Sequence, residues 1–124
     1  MRLTNAPGLT PPLGHYSHVS SVNGISYISG QLPVGADGVS VTDKPFRTQA
    51  EQVLSNLDGC LAAVGLTRSH LVQVRVYVTD IQDWDVFDDV YSAWIGAHRP
   101  ARAVAGVKEL HYDAAVEIEA VALQ

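Results

Sequence analysis

The sequence predicts an α+β fold, and three observations predict it. Apolar residues recur at three- and four-residue steps in two stretches, near 46–64 and 84–95. Residues 71–79, LVQVRVYVT, alternate strictly between apolar and polar. Two further β-prone runs precede the first helical stretch and two more follow the second, so the order is β-β-α-β-α-β-β. At 124 residues the chain is one domain, 1–124, with no room for a second.

Each element has its own local signal. The first dozen residues, with Pro7, Pro11 and Pro12, read as an extended arm. The runs YSHVSSV and ISYISGQLPV flank Asn23-Gly24, the dipeptide that most favours a tight hairpin. GADGVSVTDKP is a loop, in which Asp43 offers a cap just before Pro45 at the opening of a helix. That helix carries Phe46, Ala50, Val53, Leu54, Leu57, Leu61 and Val64 on one stripe, and Gly65 is placed to end it. In the strand after it, Val72, Val74, Val76 and Val78 face one way, and Gln73, Arg75, Tyr77 and Thr79 the other. Asp80 and Asp83 put acid at the start of the second helix, where the helix end is positive. Trp84, Phe87, Tyr91, Trp94 and Ile95 form its apolar stripe, and Gly96 and Pro100 close it. RAVAGV and AAVEIEAVAL are the last two strands.

Two helices cover one face of such a sheet. The other face is expected to carry Arg75, Tyr77, Arg102, Glu117 and Glu119 among Leu71, Val104 and Val121. So mixed a face suits neither open water nor a dry core. Burial against copies of the same chain, with polar groups lining clefts between subunits, is the simplest solution.

Composition narrows the function classes. Net charge is -5 and no Lys/Arg cluster occurs, which weighs against nucleic acid and against anionic membranes. Cys60, the only cysteine, excludes an intramolecular disulfide and reads as a buried, inert thiol in a helix. The N-terminus has no apolar signal-peptide region, and no run approaches the roughly 20 apolar residues that span a bilayer, so a cytoplasmic location is expected.

Several residues could carry chemistry. Arg102 stands at the head of a strand of small residues; it is either a structural salt-bridge partner or a bidentate clamp for a carboxylate. Glu117 and Glu119 share one side of the last strand, either as a solvated face or as carboxylates that orient or deprotonate a water. Tyr16 either packs or hydrogen-bonds a ligand. Ser29-Gly30 lies inside a strand, where a glycine marks close approach of a ligand or another backbone. The five histidines are scattered, and His15 and His18 fall on opposite strand faces, so no metal site is expected. No glycine-rich phosphate loop is present.

Four segments in order resemble the YjgF/RidA family of reactive-intermediate deaminases. RPARAVAGVKELHYDAAVEIEAVAL is similar to its C-terminal signature of P-A-R, a strand and V-E-I-E-A. GHY, YISGQLPV and VRVYVTDIQDWDVFDDVYSAWI resemble its N-terminal G-P-Y element, its S-G-Q-I-P segment and its strand-and-helix block. The resemblance implies a chorismate-mutase-like fold and a homotrimer with clefts that use residues from two chains. It implies hydrolysis of enamine and imine intermediates, such as 2-aminoacrylate and 2-iminopropionate, to a 2-keto acid and ammonia. It implies no metal or organic cofactor. By the same resemblance Arg102 clamps the substrate carboxylate, Glu117 orients water and shuttles a proton, Tyr16 bounds the pocket and hydrogen-bonds the ligand or water, Ser29 and Gly30 shape its wall, and the Val104 backbone contacts the reacting nitrogen or the water. Three positions depart from the family's frequent residues: Asp88 stands where asparagine is common, Val104 where cysteine is, and His111 where proline is. Asp88 brings a negative charge toward a site meant for carboxylates, which places substrate identity in question more than reaction type. The competing class is a non-catalytic ligand-binding or regulatory trimer that keeps Arg102; a pathway-specific imine deaminase is the other variant. Ribonuclease activity, attached to relatives, is opposed by the acidic balance and the missing basic groove.

Overall fold

The computed structural model describes residues 1–124. The elements are β1 (Arg2–Thr4), β2 (Val19–Val22), β3 (Ile25–Gln31), α1 (Phe46–Ala63), β4 (Leu71–Val78), α2 (Trp84–Ile95), β5 (Ala101–Gly106) and β6 (Val116–Leu123). All six strands form one sheet in the order β1-β2-β3-β6-β4-β5. Every pairing is antiparallel except β4 with β5, which α2 connects as a crossover. No helix is long and apolar enough to cross a membrane.

The last strand lies in the middle of the sheet, between β3 and β4. Its alternate residues Val116, Ile118, Ala120 and Ala122 are buried and meet Val78, Val76, Val74 and Leu71 of β4. Ala50, Val53, Leu54, Leu57, Cys60 and Leu61 of α1 and Phe87, Val90 and Tyr91 of α2 complete that core, so both helices cover one face, as expected. Gly65 ends α1 and Gly96 ends α2 with φ of 75° and 73°, a conformation that costs glycine least. Cys60 is buried, and burial pushes its thiol up to about 12. Two buried amides tie the long loop to α1. Asn56 donates to Leu32 O and Val34 O, and Gln49 donates to Thr42 O and Lys44 O while accepting the Ala115 N–H.

Four expectations need correction. The N-terminal arm contains a strand: Arg2–Thr4 pairs with β2 at the sheet edge. Asp43 does not cap α1: the helix begins at Phe46, Pro45 itself holds the cap position with no side chain to accept, and Asp43 lies two residues outside it. Asp80 and Asp83 lie ahead of α2 rather than in its first turn: Asp80 caps a short 3-10 turn, accepting from the Gln82 N–H, and α2 begins at Trp84. Leu71 belongs to the core and Val72 is exposed, because a bulge between Leu71 and Gln73 shifts the alternation by one residue.

A buried histidine secures the arm. His18 Nδ1 accepts the Ala6 N–H at 3.0 Å, and Asn5 Oδ1 accepts the His18 N–H at 3.0 Å. Nδ1 can accept only while unprotonated. Burial lowers the His18 pKa from its ordinary 6.5, with the Thr10 backbone opposing. The fold therefore favours the neutral ring: this stabilisation is complete above 6.5 and is lost as pH falls through the lower folded value. Amide exchange at Ala6 should lose protection on acidification below 6.5, while amides of α1 keep theirs. Equal loss at both places would show that His18 is no local latch.

Candidate active site

The candidate residues form two groups. The first gathers around Glu117. Its neighbours Val116 and Ile118 face the helices, so the pleat turns Glu117 to the open face, opposite Tyr77 of β4. On the other side of β6, the register of β3 shifts between Ile28 and Gln31, at Ser29-Gly30. A methyl group on Gly30 would overlap Glu117 Oε2, so the absent side chain is what lets this carboxyl lie against β3. Ser29 donates its hydroxyl to Ser17 O at 2.7 Å, and its N–H to His18 O at 2.9 Å. It thereby holds the segment that presents Tyr16. The Tyr16 ring is half exposed, accepts the Leu13 N–H at its hydroxyl at 3.3 Å, and shares a small cavity with Gly30, Gln31 and His18.

Electrostatics separate the two glutamates. Tyr77 donates its hydroxyl to Glu119 Oε1, which engages Glu119. Glu117 is half-buried and its side chain has no hydrogen-bond partner in the chain. Burial holds its carboxyl above the usual carboxylate range; His111 opposes this and the Glu119 charge adds to it.

The second group lies on β5, at the far edge of the sheet. Arg102 is in register with Val74, and Val104 with Val76. Both point to the helix side, not to the open face with Glu117 as the alternation was expected to place them. The parallel register decides this, and no alternation within β5 alone could. The Arg102 guanidinium lies over aromatic residues of α2, 4.8 Å from the Tyr91 ring centre, 5.7 Å from Trp84 and 6.0 Å from Phe87. Nη1 donates to Asp88 Oδ1 at 2.8 Å. Arg102 is therefore a salt-bridge partner, yet the pair engages one nitrogen only. The Nε/Nη2 edge has no partner in the chain and can receive a carboxylate bidentately. Beside it is a cavity lined by Asp88, Tyr91, Ser92, His98, Arg99 and Arg102.

A family model described as Endoribonuclease L-PSP, the YjgF/RidA family, matches residues 5–124. The chain belongs to this family. A RutC family protein of Aquifex aeolicus is 36% identical, with all of each chain aligned. A 2-iminobutanoate/2-iminopropanoate deaminase of Dermatophagoides farinae is 30% identical over 97% of this chain and 94% of its own. The crystal structure of RidA from an Antarctic Psychrobacter superposes with a TM-score of 0.95, at 30% identity and with each chain fully covered.

Seen as a YjgF/RidA protein, the chain brings Tyr16, Ser29, Gly30 and Glu117 together at one place, and Asp88 and Arg102 at another, with Val104 two residues farther along β5. The two places are on opposite faces and two strands apart, at about 4.8 Å per strand. One chain does not present Arg102 and Glu117 to the same small molecule. Sequence reasoning missed two supports: Tyr77, which engages Glu119, and the aromatic bed under Arg102. Pairing β5 with β4 in parallel would have revealed the second.

Proposed function

We propose that the protein is a hydrolytic deaminase of 2-imino acids and their enamine tautomers, and that each site is completed by a second copy in a homotrimer. One copy supplies the Arg102 fork with Asp88 and the Val104 backbone, and another supplies Glu117 with Tyr16, Ser29 and Gly30. The observation that carries this reading is the pair of unengaged groups at separate places: a half-buried Glu117 carboxyl and the Nε/Nη2 edge of Arg102. The membership and the Dermatophagoides farinae deaminase support it.

The chemistry asks little of such a site. The imine carbon is already electrophilic. Arg102 holds the carboxylate, which fixes that carbon in place. Glu117 takes a proton from water as the oxygen bonds to carbon, then delivers it to nitrogen. The hydroxyl of the resulting carbinolamine then gives its proton, through Glu117, to the same nitrogen; the carbon–nitrogen bond breaks as the carbonyl forms, ammonia leaves, and the 2-keto acid remains. A ribonuclease reading, which the family model's description would suggest, is opposed by the net charge of -5 and the lack of a Lys/Arg cluster for phosphate contacts.

The test couples the purified protein to a serine or threonine dehydratase in the presence of semicarbazide, which traps the free imine. Faster keto-acid release with less trapping is the expected result. Unchanged trapping across several amino-acid-derived imines would replace this reading with a ligand-binding trimer. Light scattering at micromolar concentration checks the assembly, and a stable monomer would remove the two-copy site.

A further inference from the structure

Arg102 stands at a sheet edge, and its long side chain needs more than one contact to hold one orientation. Asp88 accepts from Nη1 at 2.8 Å, which is the guanidinium's only hydrogen bond in the chain. A single bond to one nitrogen leaves the planar fork free to swivel about that point. What limits this freedom lies beneath it. Phe87, Tyr91 and Trp94 are spaced by four and three residues on α2, so their rings follow one another along one stripe of the helix. Tyr91 is in the middle, its ring centre 5.6 Å from that of Phe87 and 5.8 Å from that of Trp94. Trp94 is tied to α1 by its indole N–H, which donates to Asp58 Oδ2 at 2.9 Å. The Tyr91 ring is thus supported on both sides. It is also the ring nearest the guanidinium carbon, at 4.8 Å, with Trp84 at 5.7 Å and Phe87 at 6.0 Å. Tyr91 is buried and lines the same cavity as Arg102. Its hydroxyl is buried without a hydrogen-bond partner. Such a hydroxyl costs stability, so the ring, not the hydroxyl, is what the chain uses here.

We propose that Tyr91 is a positioning residue for the Arg102 clamp: its ring face supports the guanidinium and keeps the Nε/Nη2 edge set for a ligand carboxylate. The inference rests on the clamp of the proposed function and deepens it. The ring face attracts the guanidinium electrostatically and holds it to one surface, while Asp88 fixes one corner of the fork. The two contacts together leave few orientations. An arginine ordered before the ligand arrives has less rotamer freedom to lose on binding, and the difference appears as affinity. Proton transfer at Glu117 is untouched, because that carboxyl is on the other face and two strands away. Loss of the ring should therefore raise KM and the ligand Kd and leave kcat nearly alone. A packing role alone would show instead as lost stability, with no change in the affinity of the folded protein.

The experiment measures calorimetric binding of 2-oxobutanoate, and turnover of an imine generated in situ by an amino-acid oxidase. It compares the wild type, Tyr91→Phe, Tyr91→Leu and a protein carrying 3,4,5-trifluorophenylalanine in place of Tyr91, with thermal denaturation of each. Tyr91→Phe keeps the ring and removes the unpartnered hydroxyl, so Kd and KM should stay within about twofold and stability should be equal or higher. Tyr91→Leu should raise Kd and KM about three- to tenfold, with kcat changed less than about twofold. The fluorinated ring keeps the shape of phenylalanine, but its face no longer attracts a cation. It should fold like Tyr91→Phe and bind about two- to threefold more weakly. This comparison decides the matter even where Tyr91→Leu does not fold, and equal affinity of the two rings overturns the proposal. So does a Tyr91→Phe protein that binds as weakly as Tyr91→Leu, which would assign the hydroxyl to the ligand, or a Tyr91→Leu protein whose kcat falls as far as its affinity. Ring-dependent binding of 2-oxobutanoate without turnover of any imine would leave the proposal standing and defeat the deaminase reading; turnover without the ring effect would do the reverse.

Discussion

Arg102→Ala should lose nearly all imine-deaminating activity and bind pyruvate-like ligands about 30- to several-thousand-fold more weakly. The range is what a desolvated, hydrogen-bonded charge clamp contributes, roughly 2–5 kcal/mol. The fold should tolerate the change. The Arg102–Asp88 pair has its acid 42% exposed, and such partly exposed pairs contribute on the order of 1 kcal/mol or less. Loss of the stack on Tyr91 adds a modest amount, since a cation over an aromatic ring at a partly exposed site is worth about 0.5–1 kcal/mol. The ligand effect therefore exceeds the stability effect, and thermal denaturation beside the activity assay separates them. Arg102→Lys is the sharper variant. It keeps the charge, but an ammonium cannot hold Asp88 at one nitrogen while presenting a planar fork at the opposite edge. It should fail substantially too. An Arg102→Ala protein that unfolds or falls to monomers while its remaining sites stay active would make the arginine purely structural.

The sequence carried more of the fold than of the site. Helices α1 and α2 were legible because their apolar stripes and terminal glycines agree. The hairpin was legible because Asn23 and Gly24 both adopt the positive φ that its turn needs. The strand Arg2–Thr4 was not, since three residues at a sheet edge, of which only Thr4 is half-buried, are too few to imprint a pattern. Leu71 was misplaced because a bulge leaves no mark in the run LVQVRVYV. Arg102 was misplaced for a related reason. The pleat says that Arg102 and Val104 share a face of β5, but which face depends on the β4 register, a tertiary fact. For Glu117 the alternation sufficed, because β6 is central and buries every second residue. The residues of the candidate site were therefore readable singly, but not their division between two places in the chain.

Glu117→Gln should reduce kcat/KM by about 100- to 10,000-fold, the range for a lost general base, while leaving carboxylate binding at Arg102 intact. The pH profile makes the assignment specific. Only the ionised carboxyl can take a proton from water. Burial raises its pKa above the ordinary 4.5, so the wild-type acid limb should have its midpoint above that value. Activity should fall as pH drops through the midpoint, and Glu117→Gln should show no such limb. Glu119→Gln gives an independent check: the Glu119 charge helps raise the Glu117 pKa, so its removal should move the limb to lower pH. Stability should respond with the opposite sign. A raised carboxyl pKa means that the fold favours protonated Glu117. That stabilisation is complete below 4.5 and disappears as pH rises through the folded value, so at neutral pH the charged side chain works against the fold. Glutamine removes the charge and keeps the shape beside Gly30. Glu117→Gln should therefore be at least as stable as the wild type at neutral pH, although it is nearly inactive. A variant that loses stability and activity together would make Glu117 a packing residue of β6.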